Sequence, residues 1–268
     1  MMHDLRANLP KYSLWLALAL LAWFVIAVFG PKIGLIGWRT GFGFMTVTAG
    51  PILMGVVALV AAVALALAWF HKPRGAWWKA AIALAIPVVL FSALLSVKAR
   101  GEAAPPIHDV ATDLRDPPAF SAQTLAMREE WGANPLVNYG TPLGQLPMWQ
   151  DSVDGETAVQ NHADIIAANY NELQPIPVGN ASPAQAMDAV VAAMGEIGLD
   201  DIRTNRAAGT VEGVAETFAY GFRDDVVARV RDGRIDLRSA SRVGLSDLGY
   251  NAERVEELRG AIVKRLGS

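Results

Sequence analysis

The sequence predicts an α+β protein in two parts. Three transmembrane helices come first, and an extramembrane antiparallel sheet with two helices packed on it follows. Three observations carry this. Residues 1–104 contain three long apolar runs. Charge divides at the same place, with nine Lys/Arg and two Asp/Glu in 1–104 against fourteen and twenty-four in 105–268. The C-terminal stretch 182–268 then reads helix, four strands, helix, which is the α+β pattern.

The spans run about 12–29, 45–70 and 80–97. A bilayer core of roughly 30 Å needs about 20 helical residues, and in lipid only a helix satisfies its own backbone. Trp15, Trp69, Trp77 and Trp78 fall near the ends, where an aromatic belt belongs. The first run is long for a secretory signal, and "GPKIG" follows it rather than a small-x-small cleavage site, so it reads as a retained helix. No span holds a mid-membrane ionisable residue, which argues against ion-coupled transport. Ala58, Ala62 and Ala66 form a small-xxx-small stripe suited to close helix packing. The loop "HKPRGAWWK" concentrates Lys72, Arg74 and Lys79. The positive-inside rule puts that loop in the cytoplasm and the C-terminal domain outside it, on the periplasmic side of an inner membrane.

"KARGEAAPP" (98–106) reads as the linker to the domain at 105–268. Ten of the fifteen prolines lie between Pro105 and Pro183 and none follows, so 105–181 is expected to be loop-rich. Short strands are expected at "IHDVATD" and "AFSAQT". In "SPAQ", Ser182 is an N-cap, Pro183 fits the first helical position and Gln185 completes a capping box. Met187, Val190, Val191 and Met194 follow at helical spacing, up to Gly195 or Gly198. Strands are expected at 200–206, 210–217, 224–231 and 234–243. Asn251 is expected to cap a last helix whose stripe is Val255, Leu258, Ile262 and Leu266.

Within "RDDVVARVRDGRIDLRSASRVG" (223–244), Asp232-Gly233 between alternating runs is a strong hairpin signal. A two-residue turn sets Arg231 opposite Arg234, Arg229 opposite Asp236, and so on to Asp224 opposite Ser241. One face is then Val226, Ala228, Val230, Ile235 and Leu237, a core face. The other holds Asp225, Arg229, Arg231, Arg234, Asp236 and Arg238, and reads as a solvated face laced by Arg229–Asp236 and diagonal Arg238–Asp225 pairs. Away from the turn, Asp224, Ser239 and Ser241 fall on the core face, with Arg242, Ser246 and Asp247 next in sequence. Buried polar groups need partners. Two readings stand: a satisfied network tying the strand end to the last helix, or a small polar binding site made of Asp224, Arg238, Ser239, Ser241, Arg242, Ser246 and Asp247.

"PPIHDVATDLRDPPAF", then "FAYGFRDDVVARVR" and "IDLRSASRVGLSDLGYNAERVEELRGAI", resemble the family called domain of unknown function 1499, over most of 105–266. Members often follow membrane spans or a lipoprotein signal, so the resemblance implies an envelope location. The family has no established activity to carry over. The chain departs from the family pattern at "NYNELQPIPV", where members carry an aromatic-proline-aspartate step.

Chemistry is sparse. Zero cysteines exclude disulfides and thiolate sites. The acidic domain argues against nucleic acid. His108 with Asp109 and His162 with Asp164 are the extramembrane His/carboxylate clusters; they form a nitrogen/oxygen ligand set open to zinc or manganese but match no metal motif. No Gly-x-Ser-x-Gly elbow and no phosphate-cradling glycine loop occur. The sequence therefore favours a membrane-anchored module with no catalytic residue, cofactor or metal, binding a partner protein or a small envelope ligand beside the lipid bilayer. The rival is a hydrolase built on Asp224, Ser241 and Asp247, with His108 brought close by folding. A third reading is an assembly subunit that binds through its membrane helices.

Overall fold

A computed structural model describes residues 2–70 and 76–267, with no side-chain detail for residues 2–7. Two compact units divide it: Met1–Arg100 with Phe218–Gly221, and Gly101–Thr217 with Phe222–Ser268.

The first unit is built from α1 (Met2–Phe29), a π-helical segment (Arg39–Thr48) continuous with α2 (Ala49–Phe70), and α3 (Trp77–Ala103). Asn8–Phe29, Arg39–Phe70 and Trp77–Ala103 are long and apolar enough to cross a bilayer, which marks a membrane protein. Ala17, Leu20 and Phe24 of α1 pack on Met54, Val57 and Ala61 of α2. Ala17 and Ala61 are wholly buried, the close approach that small side chains permit. Ala58, Ala62 and Ala66 do not make this contact. The helix turns Met54, Val57, Ala61 and Ala64 inward, and the alanine stripe borders apolar grooves shared with α3. The π segment widens the backbone so that Thr46 Oγ1 donates to the Gly41 carbonyl at 2.9 Å, and the Trp23 indole of α1 donates to the Met45 carbonyl at 3.1 Å. Lys72 and Arg74, on which the orientation argument leans, lie outside the described residues.

The second unit contains β1 (Asp109–Ala111), α4 (Ala122–Trp131), α5 (Gly155–Val159), α6 (His162–Asn169), β2 (Ile176–Pro177), α7 (Pro183–Glu196), β3 (Asp200–Asn205), β4 (Thr210–Glu216), β5 (Arg223–Arg231), β6 (Arg234–Ser241) and α8 (Tyr250–Leu266). The sheet is antiparallel and six-stranded, in the order β1-β6-β5-β4-β3 with β2 also on β6. The β5–β6 register is the expected one at every position from Asp224↔Ser241 to Arg231↔Arg234. Asp232 (φ 52°) and Gly233 (φ 74°) both take the left-handed conformation that a tight hairpin turn needs. The Ser182–Gln185 capping box forms as its sequence dictates. Met187, Val190 and Met194 of α7 and Val255, Leu258 and Ile262 of α8 bury against Val226, Ala228, Ile235 and Leu237.

Four expectations need correction. The stretch 98–103 is not a linker: a lone Gly101 does not stop a helix, and α3 runs through Lys98, Arg100 and Gly101 to Ala103 before Pro105. "AFSAQT" is not a strand, because Ser121 caps α4 by accepting from the Thr124 N–H at 3.3 Å. Asn251 is not the cap of α8. Helix α8 starts at Tyr250 after a left-handed Gly249, and Asp247 receives the Gly249 and Asn251 N–H groups at 3.0 and 2.5 Å. Most consequential, the charged sheet face is not solvated. Arg231 and Arg234 near the turn reach solvent, but Asp225, Arg229, Asp236 and Arg238 are buried. The stretch 112–136 lies over them, with Phe120 packed on Val227 and Ala240.

Candidate functional site

The candidate residues fall on both faces of the sheet, because residues of odd and even spacing point opposite ways. Arg238 and Arg242 belong to the charged face. Arg242 holds Asp225 with two bonds at 2.9 and 2.6 Å, and Arg128 from α4 reaches the same carboxylate at 2.6 Å. Arg238 does not pair diagonally with Asp225. It forks onto Asp109 of β1 at 2.9 and 2.6 Å and donates to the Pro118 carbonyl at 3.1 Å. Arg229 meets Asp236 at 2.9 Å, as its register requires, and also Asp116 at 3.0 Å. Glu212 completes the layer by accepting from the Ser121 N–H, the Ser121 hydroxyl and the Thr124 hydroxyl. Such a layer fixes the cover to the sheet, since a buried charge left without its partner costs several kcal/mol.

Asp224, Ser239 and Ser241 lie on the core face, at the start of α8. Asn251 joins them. Its amide donates to Ser241 Oγ and the His108 carbonyl, both at 2.9 Å, and its oxygen accepts from Ser239 Oγ at 2.6 Å and Arg254 at 2.7 Å. Arg254 closes the ring on Asp224 at 2.8 Å. Ser246 donates to the Pro105 carbonyl at 3.0 Å. Burial pushes the Asp247 carboxyl up to about 6, against the lowering effect of its two backbone N–H bonds. Asn251 has all four of its hydrogen-bonding positions filled, and it is the residue that ties the strand end to the helix.

A third constellation gathers at the β1 edge, where sequence spacing offered only separate fragments. His108 and His162 lie 6.2 Å apart, ring centre to ring centre, at 87°. The His108 ring stacks on Trp149 at 5.1 Å, and Trp149 and Tyr139 flank His162 at 5.3 and 5.7 Å. Both imidazoles are completely buried, and burial drives both pKa values down to about 4 despite the nearby Asp109 charge. No ring nitrogen of either histidine has a hydrogen bond; the Pro135 carbonyl favours protonation of His108 without hydrogen-bond geometry. Asp109 is committed elsewhere. Its burial would raise its pKa, but Arg238 and the Tyr139 hydroxyl, which donates at 2.7 Å, hold the carboxyl below its usual range. Burial and then Asp109 raise the Tyr139 phenol well above normal. Asp164 does not join the cluster, since it sits exposed in a reciprocal cap with Asn161. The two histidines were visible as candidates in the sequence, but Trp149 and Tyr139 carried no signal, being single aromatics in an aperiodic stretch.

The residues of the hydrolase reading come together without a hydrogen bond between the histidine ring and the serine hydroxyl. Backbone pairing places His108 opposite Ser241, with the Ser241 N–H donating to the His108 carbonyl at 2.8 Å. The His108 ring nitrogens nonetheless make no hydrogen bond to Ser241 Oγ, which Asn251 occupies.

No curated protein and no solved structure matches the chain. The strand-and-helix portion from Asp109 to Ile262, which includes the charged layer, Asn251 with its side-chain partners, and His162, matches the model of a family described as Protein of unknown function (DUF1499), over residues 109–262. That match covers more than half of the sequence, and the chain belongs to this family.

Proposed function

We propose that the chain is an inner-membrane envelope protein whose extramembrane domain sits on the periplasmic side and acts as a binding or assembly module, not a catalyst. The observation that carries this is how the reactive side chains are used. Ser241 accepts from Asn251, Asp224 holds Arg254, and Asp247 receives two backbone N–H groups at the start of α8. Groups so engaged build a rigid surface; they are not free to attack or to move protons. The periplasmic side is supported by Lys72 and Arg74 between the second and third spans and by Lys79 in the first turn of the third.

Three experiments test this. A reporter active only outside the cytoplasm, fused after Ser268, is expected to be active; activity of a cytoplasm-only reporter overturns the sidedness. Cross-linking in intact membranes, followed by mass measurement of the detergent-solubilised complex, is expected to show a species heavier than the single chain. A strict monomer without cross-linked partner refutes the module reading. Labelling of Ser241 by a serine-directed fluorophosphonate would instead support the hydrolase.

A further inference from the structure

Buried ionisable groups in the extramembrane unit are paired throughout its charged layer, so a place where pairing fails is informative. Among the described residues, six buried side-chain nitrogen or oxygen atoms lack a hydrogen bond, and four of them are the ring nitrogens of His108 and His162. The other two belong to Arg203 and Asp236, whose remaining atoms are bonded to Thr124 and Arg229. His162 has no such compensation, and His108 has only the Pro135 carbonyl, which favours its protonation without hydrogen-bond geometry. An unsatisfied polar group is costly when dry, and here the cost is concentrated in two rings 6.2 Å apart.

We propose that His108 and His162 form a buried two-imidazole site for copper(I). The inference goes beyond the module reading and does not depend on it. The spacing suits the ion: two imidazoles bound in line place their centres about 6 Å apart, from a metal–nitrogen bond of ~2 Å and ~1 Å from each nitrogen to its ring centre. The ligand count suits it as well. Asp109, the nearest carboxylate, is taken by Arg238 and Tyr139. No cluster of three or more His, Cys, Asp or Glu among the described residues could hold a metal. Structural and catalytic zinc sites use three or four protein ligands, whereas monovalent d10 copper accepts two imidazoles. A single positive charge also costs less to bury than two. Trp149 and Tyr139 wall the pair from water.

The test uses the full chain in detergent, given copper(I) anaerobically against a competing chelator. One copper(I) per chain is expected to be withdrawn from the chelator, with X-ray absorption showing two nitrogen neighbours at about 2 Å and no sulfur. His162→Gln and His108→Gln are each expected to weaken uptake at least tenfold. No uptake by the wild type refutes the site, as does uptake with sulfur neighbours from among the eight methionines. Equal stoichiometric uptake of zinc(II) also refutes it, since that requires ligands this pair lacks. If either variant fails to fold, the absorption spectrum of the wild type still decides.

Discussion

Replacing Asp225 by Ala isolates what the charged layer is worth. In the native domain Asp225 is buried between Arg128 and Arg242, each 2.6 Å away with almost no exposure on either side. The substitution leaves two guanidinium groups facing each other without their carboxylate. Arg128 keeps carbonyl partners at Asn134, Ala240 and Ser241, while the guanidinium of Arg242 keeps its stacking on Trp131 at 5.8 Å. Breaking a buried pair in this way costs roughly 3–5 kcal/mol, out of a total of about 5–15 kcal/mol for a domain. At roughly 2–4 °C per kcal/mol for a domain of this size, melting should fall by about 6–20 °C. Arg206–Asp188 provides the control, because it has the same 2.6 Å separation but side chains that are 59% and 63% exposed. Asp188→Ala should move melting by no more than about 2 °C, since solvent screens such a pair. Near-ultraviolet circular dichroism of the detergent-solubilised chain on heating gives both numbers. Equal shifts for the two variants would refute the argument that burial, and not contact distance, sets the strength of these pairs.

Three further outcomes follow from the same reasoning. Ser182→Ala removes the side-chain half of the α7 capping box and should cost about 1 kcal/mol, read as a lowered urea midpoint with unchanged slope. Asp247 has a folded-state pKa raised from about 4 to about 6, so the folded chain binds the proton more tightly and this residue's contribution to stability falls as pH rises through that window. Asp247→Asn should therefore gain on the wild type by roughly 2–3 kcal/mol between pH 4 and pH 6, and a pH-independent difference in melting would count against the shift. Residues 101–268, expressed without detergent, should unfold cooperatively, because α7, α8 and the sheet share one apolar core; a chain without a cooperative transition would sink the two-unit description.

What was legible in the sequence was whatever is locally encoded. Strand alternation, Asp232-Gly233 and the Ser182 capping box are statements about neighbours in the chain, and the β5–β6 register and α7 came out as written. The stretch 105–181 was illegible in detail because its order is imposed from outside. Strand β1 is only three residues long, and β2 two; both exist because β6 offers them an edge. Ser121 looked like part of a strand because "AF" precedes it, whereas its hydroxyl was the start signal of a helix.

The charged face shows where periodicity stops being sufficient. A period of two assigns side chains to faces, but it does not say whether the second face meets water or another part of the chain. Charge balance says more. On β5, β6 and the residue after, Arg229, Arg231, Arg234, Arg238 and Arg242 share that face with Asp225 and Asp236, while Arg223 at the strand end takes Glu216 of β4. Five guanidiniums on two carboxylates make an unbalanced surface, and the deficit is three. The stretch "HDVATDLRD" carries three aspartates, and each meets this face: Asp109 takes Arg238, Asp113 takes Arg234, and Asp116 takes Arg229 and Arg231. The acidic stretch and the basic sheet face are complements separated by more than a hundred residues. Their matching, together with Phe120 packed on Val227 and Ala240, holds a proline-rich segment of little regular structure over the sheet.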